Sequence, residues 1–261
     1  MTQDSVCLKA DLDAETVLSH ELSTAQLLVN YHGWIYSEIQ PFLNDHLTEI
    51  GGGIGTFSDH LIRHHVSTRQ NRSIDIFEPA DGLFLQLKKH CQSRYEELLC
   101  SGRVRLRNEG FNSRVRAFDS AIMINVLEHI ENDRDIIRGI HTSLNPGGTL
   151  IVFSPALPFL YSPLDKRLGH FRRYGKRELA SMFEASGFAI AKLQYMDIAG
   201  VLPWYLINAL AGSCSFNPSL VRIYDRVVVP ITRWIEHCCR APVGKNVLIV
   251  GRKPLHSTVN V

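Results

Sequence analysis

The sequence predicts an α/β fold built on a doubly wound, mostly parallel sheet, and three observations carry that expectation. Strand-like runs alternate with helix-period segments through most of the chain. One run, "FDSAIMINV", is apolar almost throughout, as a strand covered on both faces must be. The first run ends in a glycine turn, "EIGGGIGT", that leads straight into a helical pattern.

The elements follow in order. "TAQLLVNYHGWIYSEIQPFLN" places Leu27, Leu28, Tyr31, Trp34, Ile35 and Ile39 largely at steps of three and four, which predicts one or two helices broken near Gly33. These belong to a helical cap expected over residues 1–45. "HLTEI" reads as a short strand, and "TFSDHLIRHHV" as a helix that Thr56 or Ser58 is available to cap. Next come the strand "SIDIFEP", the helix "GLFLQLKKHCQSRYEELL" and the strand "RVRLRNE". After "FDSAIMINV" lie the helix "ENDRDIIRGIHTSL", an "NPGG" turn and the strand "TLIVFSP". "KRELASMFEASGF" is a helix ending near Gly187, and "AIAKLQYM" and "KNVLIVGRK" are strands, seven in all. Helical crossovers between strands imply right-handed, parallel connections.

Residues 199–240 break this rhythm and read as a helical insertion before the last strand of a single domain, 1–261. "VLPWYLINALAG" is apolar but only about half the length that spans a bilayer. In "SLVRIYDRVVVPITRWIEHCCR" a stripe of Leu220, Tyr224, Val227, Ile231, Trp234 and Cys238 is set against Arg222, Asp225, Arg226, Arg233 and Glu236. The favoured reading is an amphipathic pair packed on the domain or on a second subunit, which makes a homodimer one option. A lid or a membrane-surface helix is the sharper alternative, since Trp204, Trp234 and the arginines suit an interface.

Composition narrows the function classes. Hydrophobic content of 45% with 21% charged residues fits a globular protein. A net charge of +2 is too small to point to nucleic acid. Cys7, Cys91, Cys100, Cys214, Cys238 and Cys239 form no Cys-x-x-Cys pair and stand near no histidines at zinc spacing, so no metal is expected and reduced thiols are. "MTQDSVCLKADLDAE" is too polar and acidic for a secretory signal, and a cytoplasmic protein, peripheral to the membrane if the insertion touches lipid, is the expectation.

The glycine turn is the most informative motif. Gly51, Gly53 and Gly55 alternate, but Thr56 stands where a dinucleotide fingerprint would place its third glycine, so a pyrophosphate is poorly served. Glu49 just before the turn would repel a pyrophosphate and suit a ligand bearing positive charge. Glu78, ending the next strand in "IDIFEP", can accept hydrogen bonds from both hydroxyls of a ribose. An adenosine ligand with a cationic centre fits both acids.

At this point the chain resembles the class I S-adenosylmethionine-dependent methyltransferases, from about Tyr31 to Lys253. "YHGWIYSEIQPFL", "EIGGGIGT", "FEP", "FDSAIMINVLEHI" and "LNPGGTLIVFSPA" match that family's ordered motifs. "LDKRLGHFRRYGKREL" and "GKNVLIVGRK" look like a branch acting on sugars, lipids or secondary metabolites. The resemblance implies a seven-stranded Rossmann-like fold and S-adenosyl-L-methionine as cofactor. It implies that Glu49, Gly51, Gly53 and Gly55 hold the methionine part, that Glu78 binds ribose and that Pro79 shapes the adenine pocket. Asn125, Val126 and Leu127 would line the floor beneath the methyl group, and Tyr31 would close over the cofactor. The adenine-binding acid of the family has only Glu109 or Asn112 to match it, neither in clear register.

Methyl transfer is a displacement at a sulfonium carbon, so alignment does most of the work, roughly 7–11 kcal/mol where it is well achieved. For an oxygen acceptor, His170 is the first candidate for general base, with His129 of "LEHI" the second, against the plainer reading of a structural histidine. His64 and His65 are expected on the surface. The basic loop that carries His170, with Arg172 and Arg173 as a fork and Asp165 and Tyr174 orienting it, would take a phosphate or carboxylate on the acceptor, or else is a solvated basic face. The acceptor is therefore expected to be a small molecule, a sugar or a lipid-linked compound. A nicotinamide- or nucleotide-sugar-dependent oxidoreductase and a non-catalytic scaffold of the same fold are the alternatives.

Overall fold

The computed structural model describes residues 14–112, 117–213, 215 and 217–255. The first thirteen residues of the expected cap, and with them Cys7, lie outside that set, as does Cys214. Two helices, α1 (Ala14–Ala25) and α2 (Val29–Ile39), precede the sheet. The break between them falls at residues 26–28, not at Gly33, which sits within α2 with open space where its side chain would be. A glycine inside a helix costs only about 1 kcal/mol, which the burial of Tyr31, Trp34, Ile35 and Ile39 on the same helix outweighs.

The strands are β1 (His46–Ile50), β2 (Ser73–Phe77), β3 (Val104–Arg107), β4 (Phe118–Ile124), β5 (Leu144–Pro155), β6 (Ala189–Met196) and β7 (Asn246–Arg252). They form one sheet in the order β3-β2-β1-β4-β5-β7-β6. β1 to β5 are mutually parallel, whereas β7 runs antiparallel to both β5 and β6. The strand order reverses between β1 and β4, and a ligand crevice opens beyond their carboxyl ends. The "NPGG" turn survives as an irregularity inside β5: pairing with β4 jumps from Leu144 to Thr149, and Gly147 takes φ 80°.

The crossover helices are α3 (Thr56–His64), α4 (Asp81–Cys100), α5 (Asp133–Ser143) and α7 (Lys176–Ala185), with a short α6 (Pro163–Arg167) in the loop after β5. They cover the sheet with two apolar cores. One contains Trp34, Leu61, Ile76 and Phe153, the other Met123, Leu127, Leu179 and Phe183. His65, expected on the surface, is buried there with its Nε2 2.9 Å from the Asn44 carbonyl, while His64 is exposed.

The insertion consists of α8 (Val201–Trp204), continued by a π-helical Tyr205–Leu210, and α9 (Pro218–Ile223), which passes through a π-helical Tyr224–Val228 into α10 (Val229–Cys238). No described helix is long and apolar enough to cross a membrane. The stripe expected to pack inward divides. Tyr224 turns in and hydrogen-bonds Asp197, but Leu220, Val227, Ile231 and Trp234 face out.

Buried Asp225 accounts for the difference. Its carboxylate accepts the Asn30 and Tyr31 backbone N–H groups, each at 3.0 Å, and so caps α2, whose own N-terminus has no side-chain cap. Asp225→Ala would leave the buried Tyr31 N–H and the more open Asn30 N–H without their acceptor. We expect a loss of about 2–3 kcal/mol, read as a fall of roughly 5–10 °C in the thermal midpoint; an unchanged midpoint would remove the cap from the account.

Candidate cofactor and acceptor site

The glycine turn after β1 has the strained backbone its composition requires. Gly51, Gly53 and Gly55 take φ of 77°, 55° and 90°. A Cβ on Gly51 would meet Val126 Cγ2 at 2.5 Å, so turn and floor are in direct contact and only a bare backbone fits. The Gly51 and Gly52 N–H groups are spent on the Phe77 carbonyl at 2.8 and 3.0 Å, which ties the turn to the end of β2.

Both acids predicted from sequence are at this turn. Glu78 is buried, and its Oε2 accepts the Gly53 N–H at 2.7 Å while Oε1 accepts that of Ala80 at 3.0 Å. A carboxylate is an acceptor-only group, the chemistry that a pair of ribose hydroxyls calls for. Glu49 is buried behind the turn and accepts from Ser58 Oγ at 2.5 Å. Burial pushes its carboxyl up to about 7, against the Ser58 hydrogen bond and with the help of Glu78. Neither Thr56 nor Ser58 caps α3: Gly55 occupies the cap position, Ser58 serves Glu49, and the buried Thr56 Oγ1 has no partner. A carboxylate short of positive charge and an orphaned hydroxyl, set on a cradle that excludes side chains, fit the amino-acid end of S-adenosylmethionine.

The remaining predicted cofactor residues are distributed around this cradle. Asn125, exposed, turns the chain at the end of β4 with φ 53°, its N–H held by the Phe153 carbonyl at 2.7 Å. Val126 lies against Gly51, whereas Leu127 is fully buried in the second core and contributes beneath the floor, not at its surface. Pro79 is exposed. Tyr31, expected to close over the cofactor, is packed edge-on to Trp34 and Phe153, with its hydroxyl accepting from Asn246 Nδ2 at 2.5 Å. Asp225 fixes α2 in that position. The residue from the cap that does stand over the turn is Leu22 of α1, whose Cδ1 would be 3.5 Å from a Cβ on Gly53. No sequence signal singled it out. Glu109 is exposed, and residues 113–116 beside it lie outside the described set.

The loop after β5 is laced to the loop after β4. The Phe171 N–H donates to the Glu128 carbonyl at 2.8 Å, and the Tyr174 hydroxyl bonds the Leu127 carbonyl and Asp133. Arg172 meets Asp133 at 2.9 Å, and Arg173 grips Asp165 through two nitrogens at 2.9 and 3.1 Å. Tyr174, Asp165 and Arg173, expected to face the acceptor, are thus buried and internally paired. The sequence pattern registers the charges in this loop but not their depth. Arg172 stays partly open, and Lys166, Arg167 and Arg177 form the exposed basic rim.

This lacing brings His129 and His170 together. Their rings lie 4.6 Å apart and nearly perpendicular. His170 Nδ1 is 2.9 Å from Asp165 Oδ1, an acid–imidazole pair that leaves Nε2 as the reactive nitrogen. Burial would raise Asp165, but hydrogen bonds from His170 and Arg173 hold it below the ordinary carboxylate range. Burial, reinforced by His170, draws His129 down to about 4, so its ring is neutral at physiological pH. Glu128, which the sequence reading passed over, completes the group. It is fully buried, and its Oε2 accepts from Ser154 Oγ at 3.0 Å.

A sheet in this order, with β7 antiparallel, a glycine turn after β1 and a buried acid after β2, has the Rossmann-like architecture of the methyltransferase class. A profile of the methyltransferase-domain family matches residues 41–193, more than half of the chain, and the protein belongs to that family. It is an S-adenosyl-L-methionine-dependent methyltransferase, which sets aside the oxidoreductase and scaffold alternatives. No curated protein sequence is a significant match. Among solved structures, an S-adenosylmethionine-dependent methyltransferase from Mesorhizobium loti is similar with a TM-score of 0.53 at 14% identity, over 84% of this chain and 98% of that one. Phosphoethanolamine N-methyltransferase 2 from Haemonchus contortus, in complex with S-adenosyl-L-methionine, gives 0.59 at 11% identity, over 97% of this chain and 60% of that one. A sarcosine dimethylglycine methyltransferase from Galdieria sulphuraria, described as putative in its own name, gives 0.56 at 12%, over 86% of each chain. At such identities the likeness is one of fold.

Proposed function

We propose that this methyltransferase acts at an anionic membrane surface on an amphiphilic acceptor, a lipid or lipid-linked sugar, and methylates a group that lies between the cofactor floor and the His129–His170 pair. The observation that carries the reading is the outer face of the insertion. Leu202, Leu206, Leu210, Ile223, Val227 and Ile231 are all exposed on it, together with Trp234 at 69%. So many large apolar side chains exposed within one insertion are uncommon on a protein that meets only water.

Charge favours lipid as its occupant. Arg222, Arg226 and Arg233 are exposed along the same helices and Arg240 just after them, whereas Asp225 is buried and Glu236 is drawn inward to accept the Ile198 N–H at 2.8 Å. The face therefore offers apolar side chains and positive charge together, as interfacial helices do. It also adjoins the acceptor loop. Trp204 donates to the Leu160 carbonyl at 3.1 Å, and the Arg173 guanidinium lies 4.5 Å over the Trp204 ring. Phe159, Tyr161 and Phe171 are exposed on that loop, and the basic rim of Lys166, Arg167 and Arg177 suits an acceptor phosphate.

Vesicle flotation tests the reading. The protein is expected to float with vesicles rich in phosphatidylglycerol, weakly with pure phosphatidylcholine, and less in high salt. Ile231→Asp with Trp234→Asp should abolish flotation and leave cofactor affinity unchanged. Failure to float would overturn the membrane reading. If the same pair of substitutions instead converts a dimer to a monomer in light scattering, the face belongs to a second copy of the chain.

A further inference from the structure

We propose that Glu128, His129 and His170 form a binding site for one divalent transition cation of the zinc class, open toward the acceptor. One ligating atom from each of the three lies within 4.8 Å of those of the other two. A tetrahedral zinc site holds its ligand atoms about 3.4 Å apart, so a contraction of at most about 1.4 Å between side chains closes the set. Glu128 supplies the independent observation. Its side chain is fully buried, and its Oε1 has no hydrogen-bond partner even though Oε2 takes the Ser154 hydroxyl. A buried carboxylate oxygen without a donor is costly unless something positive meets it.

The two imidazoles are already held as ligands are held. His170 has Nδ1 committed to Asp165, and that carboxylate is itself fixed by Arg173 and by the Ser162 hydroxyl at 2.7 Å. His129 is hydrogen-bonded to the Gly169 backbone, which lies beside its Nδ1. Each ring thus has a hydrogen bond to a protein partner, Asp165 for His170 and the Gly169 backbone for His129, the outer-shell support that orients metal-binding histidines. Arg173 is the arginine whose charge reaches Glu128, and Asp165 neutralises it through two hydrogen bonds. Two imidazoles and one carboxylate select a borderline cation such as Zn2+ or Co2+ over Mg2+ or Ca2+, which prefer all-oxygen sites.

For its use, though not for its existence, this site rests on the proposed acceptor reading. An acceptor hydroxyl bound at the open position loses its proton to water. Its oxygen then forms a bond to the methyl carbon as the carbon–sulfur bond breaks, and neutral S-adenosylhomocysteine leaves.

The test is titration of chelator-treated protein with Co2+, followed by visible absorption, and with Zn2+, followed by metal analysis after dialysis. One equivalent per chain is expected, with the intense bands of four-coordinate Co2+. Glu128→Gln and His170→Ala should each weaken it at least about tenfold, while both variants keep wild-type affinity for S-adenosylmethionine as proof of folding. His64→Ala, on the exposed histidine of α3, should change nothing. Equal metal binding by wild type, Glu128→Gln and His170→Ala, or binding without four-coordinate bands, would overturn the site. Both readouts need neither acceptor nor vesicle, so a failed flotation experiment leaves this result intact and a failed titration leaves the membrane reading intact.

Discussion

Replacing Glu78 with alanine is expected to weaken S-adenosylmethionine binding by at least about 100-fold, measured by calorimetry. Two ribose hydroxyls donating to one carboxylate make two charge-assisted hydrogen bonds, each worth about 1.5–3 kcal/mol. The structure adds a second cost. Glu78 also holds the Gly53 and Ala80 N–H groups at 2.7 and 3.0 Å, so its removal loosens the turn on which the rest of the cofactor lies. The two contributions separate experimentally. S-adenosylhomocysteine shares the ribose and should lose affinity by the same factor. Methylthioadenosine lacks the amino-acid end that the turn cradles, and should lose only the ribose part. An unchanged affinity for all three would remove Glu78 from the cofactor site.

The place of Glu78 beside the glycine turn was legible in the sequence because it needs only a strand end and an acid, and both are local. The seven strands were legible for the same reason: a buried parallel strand such as Phe118–Ile124 must be apolar on both faces, and alternation with helices then dictates the topology. The glycine turn was legible because left-handed φ values leave few residue types to choose from. What could not be read was set by depth and by contacts distant in sequence. Arg173 and Tyr174 stand in a basic loop that looks solvated, yet Asp165 and Asp133 draw them inside. Periodicity placed Leu220, Val227, Ile231 and Trp234 on one stripe but said nothing of where the stripe points. That direction is decided by Asp225, which must reach the start of α2 some 195 residues away in sequence. Leu22 over Gly53 and Glu128 beside His170 are likewise products of tertiary assembly, for which no local pattern exists.

Glu49 should make cofactor binding depend on pH in a direction opposite to its effect on stability. Its carboxyl is raised from 4.5 to about 7 by burial, so the protein without cofactor holds a proton there that the unfolded chain would release. The stabilisation this represents is fully present below 4.5 and is lost as pH rises through about 7, on the order of 3 kcal/mol for so buried a group. The ammonium of the cofactor's methionine part favours the ionised form. Below pH 7, binding must therefore expel the proton. The association constant is expected to rise by up to about tenfold per pH unit and to level off above 7, with close to one proton released near pH 6. Calorimetry in buffers of different ionisation enthalpy reads that proton directly. Glu49→Gln should abolish the release and flatten the profile. S-adenosylhomocysteine keeps the ammonium but not the sulfonium, so it should show the same slope. A slope seen only with S-adenosylmethionine would move the contact to the sulfur, and a flat wild-type profile would mean that Glu49 meets no positive charge at all. The acid that argued against a pyrophosphate thus becomes the point at which charge, burial and cofactor choice are measured together.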